Sequence, residues 1–160
     1  MRETIGSSWI FMLVIAFTLI FSGFLVLTLS YSKTYKMKNE ITSIIEKYEG
    51  LTDTSQEIIN DYLNNSSYRT KGKCVRSEVD IQIFGADSLT GSLEEVGTAN
   101  GDKLFYYCIS YRKNHLGRTV FKVTLFYDFN LPIFGQLTRF EVKGETYSIS
   151  NAFLYGKPLN

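Results

Sequence analysis

From Thr4 to Ser32 the chain carries no charged side chain, and within that stretch Trp9 to Leu29 reads WIFMLVIAFTLIFSGFLVLTL. About 21 apolar residues at about 1.5 Å per residue match a hydrocarbon core roughly 30 Å thick, so this segment can cross a bilayer once as a helix. A cleaved secretory signal is the competing reading, but its apolar run is about 7 to 15 residues and ends in a small-x-small site. Leu29-Ser30-Tyr31-Ser32 is a poor site of that kind, so the expectation is a retained anchor. Trp9 and Tyr31 bracket the segment, where amphipathic rings favour the two interfaces. Ser22 and Gly23 form a small-residue notch on it and are candidate helix-packing contacts, although no GxxxG is present.

The rest of the chain is different material. Of 17 basic and 16 acidic residues in 160, only Arg2 and Glu3 precede the apolar run, which leaves 16 and 15 beyond it. Such a balance argues against a general nucleic-acid binder. With 11 Tyr, 12 Phe and only 2 Pro, the composition is that of a folded chain with room for one compact domain. Met37, Ile41, Ile44, Ile45 and Tyr48 fall on one face of a helix that continues the apolar run without a break, and Gly50 supplies a stop. One helix is therefore expected from about residue 6 to 49, with a membrane half and an amphipathic half. The expected divisions are a short flank at 1–8, a transmembrane helix at 9–31, an amphipathic continuation at 32–50 and a soluble α+β domain at 51–160.

A second helix is expected after Thr54-Ser55-Gln56-Glu57, read as a capping box, with Ile58, Ile59, Tyr62 and Leu63 on one face and an end at Asn64-Asn65. Strands follow. Val79, Ile81 and Ile83 alternate with polar residues, as do Phe121, Val123, Leu125, Tyr127 and Phe129. Leu104 to Arg112 is apolar or aromatic on both faces, as a central strand would be, and Asn114 to Gly117 gives the turn that follows it. Leu137 to Lys143 continues the sheet, and the odd-even parity changes near Gly144, where a bulge or tight turn is expected. Between Gly85 and Asp102 a loop with at most one short strand is expected.

Side chains suited to chemistry are sparse. The single His, His115, sits in the expected turn and lacks a paired nucleophile, and Glu94-Glu95 are adjacent loop carboxylates that diverge. Neither CxxC nor HExxH nor a phosphate-binding glycine signature occurs. No enzyme, metal, cofactor, nucleic-acid partner or small-molecule substrate is expected. Cys74 and Cys108 suit one disulfide across about 34 residues, worth roughly 3 to 4 kcal/mol in the chain-entropy account, or two reduced buried thiols. The disulfide would place the domain outside the cytoplasm, whereas Lys33, Lys36 and Lys38 after the span would keep it inside.

Two further features concern contacts. Arg69, Lys71, Lys73 and Arg76 form one basic run, Arg112, Lys113, His115, Arg118 and Lys122 another, and Glu78 to Asp102 holds six acids and no base. Complementary patches of that sort can set the register between subunits, and pairing within the chain is the simpler alternative. Leu131, Ile133 and Phe134 occupy a connection where polar residues are usual, and either fold over the core or offer an apolar contact to a partner or the membrane surface.

A membrane helix running directly into an amphipathic helix, then an antiparallel sheet ending in VFKVTLFYDF, LPIFG and a strand closing on KGET, resembles pilins and pseudopilins, and more specifically the TadE-like proteins of bacterial tight-adherence pilus systems. The resemblance rests on residues 1 to 50 and this closing region, about half the chain. It implies a pilin-like α+β fold, a domain outside the cell membrane, and a structural or assembly role with other pilin-like subunits or platform proteins. Met37, Ile41, Ile44, Leu131, Ile133 and Phe134 join Ser22 and Gly23 as candidate assembly contacts. Prepilin peptidase sites of this class place a Glu five positions after the cleavage-site Gly; Phe11 stands there after Gly6, so no processing step carries over. Alternatives are a membrane-anchored extracytoplasmic binding or sensor domain and an accessory component of a conjugation channel.

Overall fold

The computed structural model describes the backbone of residues 2–75, 81–89, 93–97, 102–131 and 135–159, and the side chains of all of these except 2–7, 129–131 and 135–138. In chain order the elements are α1 (Arg2–Lys47), β1 (Gly50–Leu51), α2 (Asp53–Asn65), β2 (Gly72–Lys73), β3 (Ile83–Ala86), β4 (Leu93–Glu95), β5 (Leu104–Phe105), β6 (Tyr107–Lys113), β7 (Thr119–Leu131), β8 (Gly135–Glu145), β9 (Phe153–Leu154) and β10 (Lys157–Pro158). The fold is α+β, with one long N-terminal helix and antiparallel sheets.

The main sheet has five antiparallel strands in the order β4-β3-β6-β7-β8. Alternation along its strands assigns side chains to two faces. Phe84, Tyr107, Ile109, Phe121, Val123 and Leu125 belong to one buried cluster, which also holds Met37, Ile41, Ile44 and Ile45 of α1 and Ile59 and Leu63 of α2. The opposite face carries a smaller cluster of Cys74, Ile83, Val96, Phe105, Cys108 and Phe126. Burial on both faces is what makes β6, third of the five, the central strand: Tyr107, Cys108 and Ile109 are buried in succession. The apolar stretch from Leu104 to Arg112 is nevertheless two strands, because the chain leaves the ladder at Tyr106. There the hydroxyl of Tyr68 takes over, donating to the Phe126 carbonyl and accepting from the Phe126 N–H.

α1 ends where Glu49 turns to a φ of 53° and Gly50 to 136°. At Gly50 a Cβ would strike the backbone of Phe153, since β1 pairs in parallel with β9 and β9 in turn with β10. This small closing sheet has no periodicity to announce it. α2 starts two residues earlier than its expected box: Thr52 is the N-cap, its side chain accepts from the Ser55 N–H, and the Ser55 hydroxyl accepts from the Thr52 N–H. Ile59 and Leu63 of its expected face are fully buried, with Ile58 and Tyr62 half-buried beside them.

Gly144 is no bulge. It pairs with Val123 inside a regular ladder, and the shift expected there occurs on either side: Leu137 is skipped in the register between Phe129 and Asn130, and beyond Glu145 the pairing resumes as Thr119 with Ile149. What requires glycine at 144 is the stem of Lys38, which crosses the sheet where a Cβ would be. Lys38 is 8% exposed and its ammonium stands 4.2 Å from the centre of the Tyr35 ring. The turn after β6 forms as expected, with Gly117 at a φ of 72° and the Asn114 carboxamide oxygen accepting from the N–H of Leu116 and Arg118.

Candidate assembly surface

One helix meets two environments. From Trp9 to Leu29 its large side chains project outward, Trp9 at 72% exposure and Leu29 at 70%, and the most apolar 18-residue window has a mean hydropathy of 2.8 with 6% of it buried. A soluble core helix of that composition would be mostly covered. The helix is long and apolar enough to cross a membrane and is compatible with a single-pass anchor. Its hydroxyls make no demand on a partner, since Thr18, Ser22 and Thr28 donate to the carbonyls of Val14, Leu19 and Phe24 on the same helix. Gly23 sits in the middle of this exposed segment and is itself buried.

The second environment begins at Tyr31, whose ring meets that of Tyr127 at 6.0 Å, edge to face. Tyr127 stacks in turn on Phe140 at 5.2 Å. From Thr34 onward the inner face of the helix is buried: Met37 is 3% exposed, Ile41 0% and Ile44 7%. These three side chains, expected as contacts to another subunit, lie in the chain's own buried core. An amphipathic stripe has the same spacing whether it is covered by its own sheet or by a second chain. Packing of the helix against the sheet therefore begins at about residue 31. At the far end Glu46 accepts from the N–H of Tyr147, fastening the last helical turns to the end of the sheet.

Cys74 and Cys108 are bonded, with Cα atoms 5.7 Å apart across a separation of 34 residues. The bridge links the connection after β2 to the central strand, within the smaller cluster. Of the other candidates, Leu131 ends β7 opposite Gly135, while Ile133 and Phe134 lie outside the described residues.

One residue of each basic run pairs with an acid within the chain. Lys73 reaches Asp102 at 2.7 Å, Lys103 lies 2.7 Å from Glu94 and 3.4 Å from Asp87, and Arg112 contacts Glu145 at 3.2 Å. The hydrogen bond from Lys73 lowers the pKa of Asp102, and that from Lys103 to Glu94 raises the pKa of Lys103. Arg76, Glu78 and Asp80 lie outside the described residues. His115 is exposed in its turn. Among the described residues no group of three or more His, Cys, Asp or Glu could hold a metal. Clefts of about 110, 60 and 140 Å³ occur among them, each well below the roughly 300 Å³ at which small-molecule pockets begin.

No protein-family model matches the chain, and no curated protein and no solved structure matches it significantly.

Proposed function

We propose that this chain is a single-pass, membrane-anchored, pilin-like structural or assembly subunit of a surface pilus or secretion system, with its sheet domain outside the cytoplasm. The observation that carries the reading is the division of α1: an exposed apolar rod from Trp9 to Leu29 and, on the same helix, a buried stripe under the chain's own sheet. A hinge between membrane and domain would suit a tethered sensor. A continuous helix instead makes the orientation of the sheet follow the orientation of the rod, so packing rods together sets the arrangement of domains. Association of such rods in lipid is driven by close side-chain packing, for which Gly23 and Ser22 offer the smallest cross-section. The Cys74–Cys108 bridge supports an oxidising compartment for the domain, against the pull of Lys33, Lys36 and Lys38. Mechanism here is assembly, and the sheet domain presents its charged and aromatic surface to neighbours.

The test is the size of the particle in native membranes extracted with a mild detergent. The expected result is a high-mass assembly that Gly23→Glu disperses while the disulfide-bonded domain stays folded. Migration of the unsubstituted chain as a monomer would contradict the reading.

A further inference from the structure

The groove of about 140 Å³ beside the end of the apolar rod is built from three parts of the chain. Ser30 and Lys33 come from α1, Ser67 and Arg69 from the turn after α2, and Tyr127 and Asp128 from β7. Its walls are held in place. Thr34 and Met37, beside Lys33 on α1, are buried against the sheet. Tyr68 is pinned by its hydroxyl to both backbone groups of Phe126. Arg69 donates through Nη1 to the Tyr68 carbonyl at 3.0 Å and to the Asn64 side chain at 3.5 Å, so Nε and Nη2 keep their donors for a ligand.

Charge in the groove is uncompensated. Asp128 is the one carboxylate among the described lining residues, and Arg139 already donates to it from Nε at 2.8 Å. Lys33 and Arg69 form no ion pair among the described residues, whereas Lys73, Lys103, Arg112 and Lys143 each have a carboxylate at 3.2 Å or less. Depth points to the ligand. Lys33 stands four residues beyond Leu29, where the apolar run ends, and so about 6 Å outside the hydrocarbon. A headgroup layer occupies roughly 5 to 7 Å on each side of that core, which puts Lys33 level with the lipid phosphates. Tyr31, ring against Tyr127, stands at the same level, where amphipathic rings collect.

We propose that this groove binds the phosphate of an anionic phospholipid in the leaflet from which α1 emerges. Lys33 takes the phosphate oxygens from the helix side and Arg69 from the turn side, with the hydroxyls of Ser30 and Ser67 beside them. Two uncompensated cations disfavour a headgroup that carries a cation of its own, so phosphatidylglycerol fits and phosphatidylcholine does not. A lipid held there ties the sheet domain to the bilayer surface at a point outside the span.

The inference rests on α1 crossing the bilayer, as proposed above, and not on assembly. The full chain, disulfide intact, is reconstituted into phosphatidylcholine vesicles holding a trace of nitroxide-labelled phosphatidylglycerol or, in a parallel sample, of nitroxide-labelled phosphatidylcholine. Electron spin resonance reads the fraction of each label immobilised by the protein. The expected fraction is several-fold larger for phosphatidylglycerol. Lys33→Gln and Arg69→Gln should each remove most of that preference, whereas Lys36→Gln, at an exposed position on the same helix outside the groove, should leave most of it. Inorganic phosphate at the concentration of the labelled lipid, at constant ionic strength, should not compete. Equal fractions for the two labels, or an equal loss with Lys36→Gln, overturns the inference and leaves the span intact. Loss of the preference to inorganic phosphate overturns it in favour of a soluble ligand. Absence of an immobilised fraction for either label overturns the spanning helix, and the inference with it.

Discussion

The hydroxyl of Tyr68 stands 2.8 Å from the carbonyl oxygen of Phe126 and 2.9 Å from its backbone nitrogen, closing the β7 ladder where β6 has already ended. Tyr106, the residue that would continue the pairing, turns away and bonds its N–H to Ala86 instead. One side chain thus satisfies two backbone groups of a buried strand.

Tyr68→Phe removes that oxygen and leaves the N–H and C=O of Phe126 without partners in a site that is 1% exposed. A buried unpaired group costs about 1 to 3 kcal/mol, so the variant is expected to lose about 2 kcal/mol or more. Denaturant unfolding of the full chain in micelles, followed by near-ultraviolet circular dichroism of the tyrosines, measures it.

Gly144 and Lys38 are expected to couple. Gly144→Ala pushes a methyl into the Lys38 stem, an overpacking change that costs about 1 to 3 kcal/mol. In a Lys38→Ala background the obstruction is gone, so the same substitution should cost distinctly less, and a double-mutant cycle reads the difference. Equal costs in both backgrounds would mean that the Lys38 stem is not what excludes a side chain at position 144.

Alkaline pH should weaken the domain through two buried phenols. Burial raises the pKa of Tyr68 and of Tyr107, whose hydroxyl donates to the Asn60 side chain at 2.9 Å, well above the ordinary value of 10.0. The folded state keeps these protons where the unfolded chain releases them. Their contribution is therefore complete below the unfolded pKa of about 10 and declines as pH rises above it. Phenolate absorbance should show two tyrosines titrating only with unfolding, and Tyr107→Phe should flatten the loss of stability with pH.

Reduction of Cys74–Cys108 should remove roughly 3 to 4 kcal/mol by freeing a closed loop of about 34 residues. In intact cells, an impermeant thiol reagent should label the pair only after reduction. Labelling that requires lysis would place the domain inside the cytoplasm.

Legibility followed periodicity. The apolar run, the stripe from Met37 to Tyr48 and the alternation of β7 from Phe121 to Tyr127 are repeated signals, and the structure contains a long exposed apolar helix, a buried stripe and a two-faced strand in their places. Where one residue decides, the sequence was ambiguous. The expected box opens at Thr54, and it is the Ser55 hydroxyl reaching back to Thr52 that moves the cap to Thr52. The break at Tyr106 falls within a uniformly apolar stretch, and the reason for it lies 38 residues away at Tyr68. Gly144 carried a true signal read for the wrong cause, a crossing side chain in place of a bulge. The two-residue strands β1, β9 and β10 have no pattern to read. As for the candidate contacts, spacing identified Met37, Ile41 and Ile44 as an apolar face, but a face does not state what covers it.

The claim at the centre of this account is that the exposed rod of α1 packs against other rods. Cysteines placed one at a time from Phe17 to Leu27, oxidised in native membranes, test it most directly. The account predicts adducts with other copies or with other membrane-spanning subunits, recurring about every three to four residues and strongest on the face of Ser22 and Gly23. Monomer at every position, in a chain that remains embedded in the membrane, would contradict it.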